Sequence, residues 1–274
     1  MTENIRMAIR TGEHTGPTSG ISGDKVQANL AILPKEYAFD FLLFAMRNNK
    51  PVPIIEVLEA GEFISKYAKN SDIRTDIPLY NIYKNGELTE TVSDIKDYWR
   101  DDFVTFLIGC SFTFEQAILD AGINIKHIDE GRNVAMYKTN IETVPAGIFS
   151  GETVVSMRPF KKELVDQVVS ITNEFPNMHG GPVHVGSPEK IGIKNIDEPD
   201  YGERIDIAPD EVPVFWACGV TPQNVVLNAK PEILISHAPG HMFITDINNE
   251  EYKTETGQLP GFLYLSIMRV KNGR

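Results

Sequence analysis

The chain has 274 residues, a formal net charge of −12, and 42% hydrophobic and 23% charged residues. That ordinary globular composition excludes a disordered tail, a collagen-like chain and a coiled coil, and leaves one large domain or two modest ones. An acidic balance without a basic run argues against nucleic acid or an anionic membrane surface as the main partner, while small anionic substrates stay open because a site can be locally basic. No stretch reaches the ~20 apolar residues of a membrane span, and the N-terminus lacks the apolar core of a signal peptide. The two cysteines, Cys110 and Cys218, are far apart in sequence, which points to a cytoplasmic protein with free thiols rather than a disulfide scaffold.

In chain order, the first thirty residues are rich in Gly, Thr and Ser and read as an ordered polar loop. Pro34 then opens an amphipathic helix, KEYAFDFLLFAMRNN, in which Tyr37, Ala38, Phe41, Leu42 and Ala45 recur at helical spacing. Residues 51–59 read as a buried strand, and Asn85-Gly86 in KNGE as a hairpin turn. Residues 103–109, FVTFLIG, form a continuous apolar run that ends at Cys110-Ser111, before a helix stopped by Gly122. Residues 212–217, VPVFWA, repeat the shape: the run ends at Cys218-Gly219, with Thr221 as N-cap and Pro222 in the first turn of a second helix. Strands apolar throughout and followed by helices imply an α/β layer. Between these units INIKHI, NVAMYKTNI and GETVVSMRP read as short strands and KKELVDQVVSITNEF as a helix. The expected division is therefore a main layer from 1–135 plus 208–274, to which VPVFWA and EILISH return, and a smaller α+β domain over 136–207.

Four groups of residues carry candidate chemistry. A thiol at a helix N-terminus has a lowered pKa, and the free N–H groups there can hold a carboxylate. Cys110 and Cys218 are thus acid–base candidates, with Ser111 and Gln223 beside them as substrate-binding candidates. Glu115, early in the helix after Cys110, is a further acid–base candidate. His179 and His184 lie in MHGGPVHVG, and His237 and His241 in SHAPGHM. All four are catalytic candidates, and their clustering makes a divalent cation a candidate cofactor, although Pro239-Gly240 rules out the helical zinc motif. The loop RTGEHTGPTSG offers Arg10, Thr11, His14, Thr15, Thr18 and Ser19 as donors around an anion. Arg158, at the end of an apolar strand, is the natural clamp for a carboxylate. Each also has a plain structural account: a buried thiol, a hydrogen-bonded histidine, a capping loop, an ion pair, a dipole-favoured acid.

Taken together, RTGEHTGPTSG, QANLAILP, DIRTDIPLY, FLIGCSFTFE, VVSMRP, HGGPVHVG, EVPVFWACGVTPQ and SHAPGHMFITD resemble the D-glutamate cyclase family, whose bacterial members are called hydro-lyases of the YcsI-like type. The resemblance runs over roughly residues 8–270, with Ala135 standing where the family string has proline. It implies dehydration of free D-glutamate to 5-oxo-D-proline, and a three-layer α/β/α domain with a two-layer α+β domain. It assigns no catalytic residues. Two alternatives remain: a two-cysteine acid–base enzyme, racemase or dehydratase, on a small carboxylic acid, and a binding protein without turnover. A homodimer is the expected assembly.

Overall fold

In the computed structural model, which describes residues 2–254, the chain opens with helix α1, Thr2–Arg10. Strand β1 follows at Lys25–Pro34 and helix α2 at Lys35–Arg47. The opening stretch is therefore helix, loop and strand rather than one polar loop. Gln27 and Asn29 interrupt the apolar pattern of β1, yet both are buried. β2 is Ile54–Leu58, β3 Tyr80–Lys84 and β4 Glu87–Val92. Asn85 and Gly86 both have positive φ, 51° and 83°, as a two-residue hairpin requires.

β5, Phe103–Gly109, leads into α3, Phe112–Asp120, and Gly122 ends that helix region with φ 75°. INIKHI is not a strand: it contains the short helix α4, Lys126–Asp129. β6 is Ala135–Glu142, β7 Glu152–Lys161, α5 Val165–Asn173, β8 His184–Val185 and β9 Glu211–Ala217. α6, Thr221–Ala229, β10, Ile233–His237, and β11, Phe243–Asn248, complete the described elements.

Every strand pair among the described residues is antiparallel. One sheet has the order β2-β5-β1-β10-β3-β4, with β11 also on β1, and the other has the order β6-β7-β9-β8. The α/β class holds, but VPVFWA does not return to the main layer. It pairs with β7 across Val155–Ala217 and Lys161–Glu211, so the return is made by β10. α2 and α6 pack on one face of the larger sheet through Phe41, Phe44, Val225 and Val226. The opposite face is packed by irregular chain bearing Ala68, Ile73 and Ile77, with Tyr98 and Trp99, rather than by a second layer of helices. The smaller sheet lays Val214, Trp216 and Phe160 against α3 and α5, and Tyr137, Met157 and Phe215 against Ile191, Ile193 and Ile205.

The hairpin at Gly86 is a sharp test of backbone geometry. Its φ is positive, and a β-carbon there would lie 3.1–3.2 Å from the carbonyls of Leu227 and Val226. Gly86→Ala is expected to lower the urea-unfolding free energy by about 1–2 kcal/mol, since alanine is strained at positive φ. An unchanged midpoint and slope would show that the turn relaxes freely.

Candidate active site

The two strand–cysteine–helix units converge. Cys110 and Cys218 lie in one buried cluster with Phe112, Val134, Met136, Val154, Val220 and Met242. Their turns share several bonds. The Phe112 N–H points at the Cys110 thiol at 3.5 Å. The carbonyl of Cys110 accepts from Thr113 N at 3.1 Å, and that of Cys218 from Thr221 N at 3.0 Å. Thr113 Oγ1 accepts from Gln27 N on β1 at 3.3 Å, and Thr221 Oγ1 from Val154 N on β7 at 3.1 Å. Thr221 is therefore not an N-cap. Its hydroxyl donates to the Cys218 carbonyl at 2.7 Å and ties the turn to the neighbouring strand.

The supporting strands also cross. β1 stands beside β5 and β7 beside β9, with Ala28 opposite Gly109 and Val155 opposite Ala217. Asn29, from β1, lies over the other turn, where a β-carbon on Gly219 would collide with its amide. From β7, Arg158 donates to Ser111 Oγ at 3.0 Å, in the first turn's helix start. The two units thus touch each other's turns, through Asn29 on one side and Arg158 on the other.

Burial decides the state of the thiols. It raises the Cys110 thiol far above its ordinary value, and the Phe112 N–H offsets only part of this. It pushes Cys218 up to about 11 against the opposing Val220 N–H. The lowered pKa expected from the helix N-termini is overturned: desolvation outweighs the dipole. Both groups are protonated at neutral pH.

Glu115 and Arg158 form a buried ion pair. Arg158 Nε donates to Glu115 Oε1 at 2.9 Å, and Nη1 donates to Ser156 Oγ at 3.1 Å. Nη2 reaches both Glu115 Oε1 and Ser111 Oγ. The guanidinium lies 5.5 Å from the ring centroids of Phe114 and Trp216. With its donors engaged inside the protein, Arg158 is not the free carboxylate clamp expected of it. Burial would raise the Glu115 carboxyl, but Arg158 and His127 outweigh it and hold the group down at about 2. Glu115 is a fixed carboxylate rather than a proton donor. Ser19 Oγ, from the N-terminal segment, donates to Glu115 Oε2 at 3.1 Å, and His127 Nε2 lies 3.2 Å from Oε1. The same imidazole nitrogen, Nε2, is also 3.1 Å from Ser19 Oγ, so acid and hydroxyl share one ring nitrogen. This differs from the hydrolase relay, in which acid and hydroxyl bind opposite ring nitrogens.

The four histidines separate. His237 is fully buried at the end of β10, and Leu30 N donates to its Nδ1 at 3.0 Å. The same Nδ1 is 3.3 Å from the Leu30 carbonyl, and Nε2 has no partner among the described residues. Burial holds His237 down at about 4. His241 Nδ1 lies 3.0 Å from the Pro239 carbonyl, and burial lowers its pKa. His179 is buried near the end of β5, 2.8 Å from the Lys50 carbonyl, and burial holds it down at about 4. His184 is opposite Phe215, whereas Arg158 is opposite the adjacent Val214. Alternation along the strand places His184 on the other face of the smaller sheet, away from Arg158. It contacts the Ser187 carbonyl instead.

Among the N-terminal candidates, Thr18 is at the cluster. It donates its N–H to Gly240 O at 2.9 Å, and its hydroxyl accepts from Met242 N at 3.0 Å. His14 is half-buried, with Nε2 unpartnered among the described residues, and Thr15 is exposed. Arg10 is spent on Asp76, at 2.7 and 2.8 Å. Gln223 donates to the His237 carbonyl and accepts from Tyr83, so it braces α6 against the larger sheet.

Gln27, Asn29, Asn133 and His127 are not among the sequence-derived candidates. The usable signal was Gln27 and Asn29, two polar residues in the apolar run VQANLAIL. Gln27 Nε2 donates to the carbonyls of Thr18 and Ile21; Gln27 Oε1 and Asn133 Oδ1 have no partner among the described residues. Among the described residues, no group of three or more His, Cys, Asp or Glu side chains is placed to hold a metal. Two surface depressions of about 300 and 460 Å³ lie elsewhere, around Lys138 and Lys194 and around Tyr67 and Lys69. No described helix is long and apolar enough to cross a membrane.

The D-glutamate cyclase family profile matches residues 104–246, the span that holds both thiol turns. A Bacillus subtilis protein named "Putative hydro-lyase YcsI" is 57% identical over 90% of this chain and 97% of its own length. "Putative hydro-lyase Teth514_1597" of Thermoanaerobacter sp. is 59% identical over 89% and 93%. The chain belongs to the D-glutamate cyclase family. A nitrogen repressor-like protein from Methanococcus jannaschii, at 9% identity and a TM-score of 0.37 over 85% of this chain and 90% of its own, carries no argument for a family member of this kind.

Two expectations follow from the buried charges. His179 and His237, held near 4, stay neutral where the unfolded chain protonates at ~6.5. The unfolded state then binds more protons, so stability falls as pH drops from about 6.5 to 4, by up to ~1.4 kcal/mol per pH unit per histidine. Glu115 acts lower: its contribution is present above the unfolded value of ~4.3 and is lost as pH falls toward about 2. Urea melts at pH 7 and pH 5 should show the first decline, and equal stability would contradict it. Arg158→Met strands the buried carboxylate and is expected to cost about 3–5 kcal/mol. A loss below about 1 kcal/mol would mean that water reaches the pair.

Proposed function

We propose that this protein is a lyase that cyclodehydrates a small amino dicarboxylic acid, by family D-glutamate to 5-oxo-D-proline and water, in the space between Cys110 and Cys218. One observation carries the reading: the two strand–cysteine–helix turns, with their thiols, lie in one buried cluster, while Gln27 Oε1 and Asn133 Oδ1 are buried acceptors without a partner among the described residues. N–H groups at helix starts suit carboxylates, and buried oxygens without donors suit an ammonium group. An amino acid brings both.

Ring closure requires the α-amine to attack the γ-carboxyl carbon, so the first task is to hold the substrate folded. Two protons must leave nitrogen, and the departing oxygen must receive two to leave as water. His241, neutral because burial lowers its pKa, is the proton acceptor in this scheme. The protonated thiols are matched to donation toward the leaving oxygen. The helix N–H groups are the donors for the negative charge of the tetrahedral intermediate, joined by His237 in the tautomer that carries its proton on Nε2. Glu115 and Arg158 fix Ser111 and the start of α3, and so act by positioning.

Cys110 and Cys218 are only 5% and 8% exposed. Substrate entry therefore requires movement of the covering chain, and the segment through Thr18 and Ser19 is the cover that this reading implies. The purified protein is expected to form 5-oxoproline from D-glutamate at steady state, and His241→Gln to lower kcat about 100-fold or more. Absence of turnover above the uncatalysed rate in a folded protein would overturn the cyclase reading. Ligand-induced thermal stabilisation without product would favour a binding role instead.

A further inference from the structure

The strap between α1 and β1, described throughout residues 11–24, has no helix or strand, and Thr18 is the one buried residue in it, at 0% exposure. Every polar group of Thr18 is engaged. Its N–H donates to Gly240 O at 2.9 Å, and its carbonyl accepts from Gln27 Nε2 at 2.9 Å and from Ile21 N at 3.1 Å. Its hydroxyl accepts from Met242 N at 3.0 Å and donates to Gly240 O at 3.3 Å. A surface strap thus sends a single residue inward, and the surroundings read that residue by its main chain. Nitrogen meets an acceptor, the carbonyl oxygen meets a donor, and one α-carbon lies between them. The spacing of those atoms is set by covalent geometry and is the same in any free α-amino acid.

Thr18 leaves part of this polar lining unfilled. Gln27 is 2% exposed and spends Nε2 on the Thr18 and Ile21 carbonyls, while its Oε1 has no partner among the described residues. Asn133 is 9% exposed and donates Nδ2 to Pro239 O at 3.0 Å, and its Oδ1 has none either. That oxygen lies against Gly240, where a β-carbon would collide with it. One orphaned acceptor is therefore on the residue that holds the Thr18 carbonyl. The other is beside the glycine that holds the Thr18 N–H. A peptide N–H offers one proton, whereas an ammonium group offers three. An α-amino acid in place of Thr18 brings the donors that the peptide nitrogen lacks, and its carboxylate takes the N–H groups of Gln27 and Met242.

We propose that the Thr18 position is a recognition subsite for the ammonium and carboxylate of a free α-amino acid, occupied here by the strap's own residue and opened when the ligand displaces it. Met242 belongs to the buried cluster of Cys110 and Cys218, so the subsite adjoins the place assigned to the reaction. It rests on the amino-acid reading of that place, and adds where the head group sits and what must leave first. Ser19, next in the strap, donates to Glu115 Oε2 at 3.1 Å and lies 3.1 Å from His127 Nε2, so it latches the strap through partners outside the subsite. Strap and ligand compete for the same polar groups. The apparent affinity is the intrinsic one reduced by the fraction of open strap, so whatever weakens the strap's hold tightens the ligand.

The test is hydrogen exchange of the full chain, read by mass spectrometry in the first seconds after adding D-glutamate, before product accumulates. Saturating D-glutamate is expected to speed amide exchange in residues 11–24 by about tenfold or more, whereas a ligand that only orders its site slows it. Glutarate, of equal chain length but without the ammonium group, is expected to leave that exchange unchanged. Thr18→Ala weakens the plug and Ser19→Ala the latch. Each is expected to tighten D-glutamate binding about fivefold, the worth of one hydrogen bond, as read from the concentration dependence of the same signal. If Thr18 and Ser19 instead contact the ligand or serve only as structure, both folded variants bind more weakly or as the parent does. That result, slower exchange of the strap with D-glutamate, or equal opening by glutarate would overturn the proposal, and with 5-oxoproline still formed would leave the cyclase reading standing. Strap opening by D-glutamate without 5-oxoproline would do the reverse. No binding of D-glutamate would overturn both.

Discussion

The ion pair between Glu115 and Arg158 is the constraint on which the rest depends, because its partners belong to different sheets. Glu115 is on the helix that continues β5 of the larger sheet, and Arg158 is on β7 of the smaller one. With neither charge in contact with bulk water, the carboxylate and guanidinium can satisfy each other only if the sheets meet in one relation. Ser111 and Ser156 take up remaining donors, and Phe114 and Trp216 flank the guanidinium. The pair thereby sets where the turn after β5 lies relative to the turn after β9. Removing the charge from one side alone strands the other.

Much of the frame was legible because it rests on strong local signals. The apolar run at 103–109 is β5 to the residue, and the positive φ at Asn85 and Gly86 is what an Asn-Gly hairpin needs. Helix α2 follows from its periodicity. The hidden parts have equally definite reasons. β1 carries Gln27 and Asn29 in its buried run, so neither alternation nor continuous apolarity identifies it. α4 is too short to show a period. The pairing of VPVFWA with β7 is a long-range choice that its own composition does not reveal.

The site was legible in its residue types more than in their roles. The repeated strand–cysteine–helix pattern pointed to two thiols in comparable turns, and the fold brings those turns together. The protonation state could not be read in the same way, because burial depends on neighbours supplied by distant elements. Arg158 reads alone as a clamp, whereas its actual partner arrives from forty-three positions away. His127 is a lone histidine in an unremarkable segment, and only tertiary structure sets it against Glu115. Alternation along β8 and β9 separates His184 from the group, which the spacing of histidines in the sequence could not foresee.

The strand order carries a consequence for how the protein is made. β10 is an interior strand, between β1 and β3, although it comes late in the chain at 233–237. Until that segment has emerged from the ribosome, the β3–β4 hairpin has no neighbour to join it to the rest of its sheet. Most of the polypeptide must therefore be synthesised before the larger sheet can close. Meanwhile the smaller sheet, whose strands lie between 135 and 217, is already complete in outline. Such late closure leaves strand edges exposed to intermolecular pairing in the nascent chain.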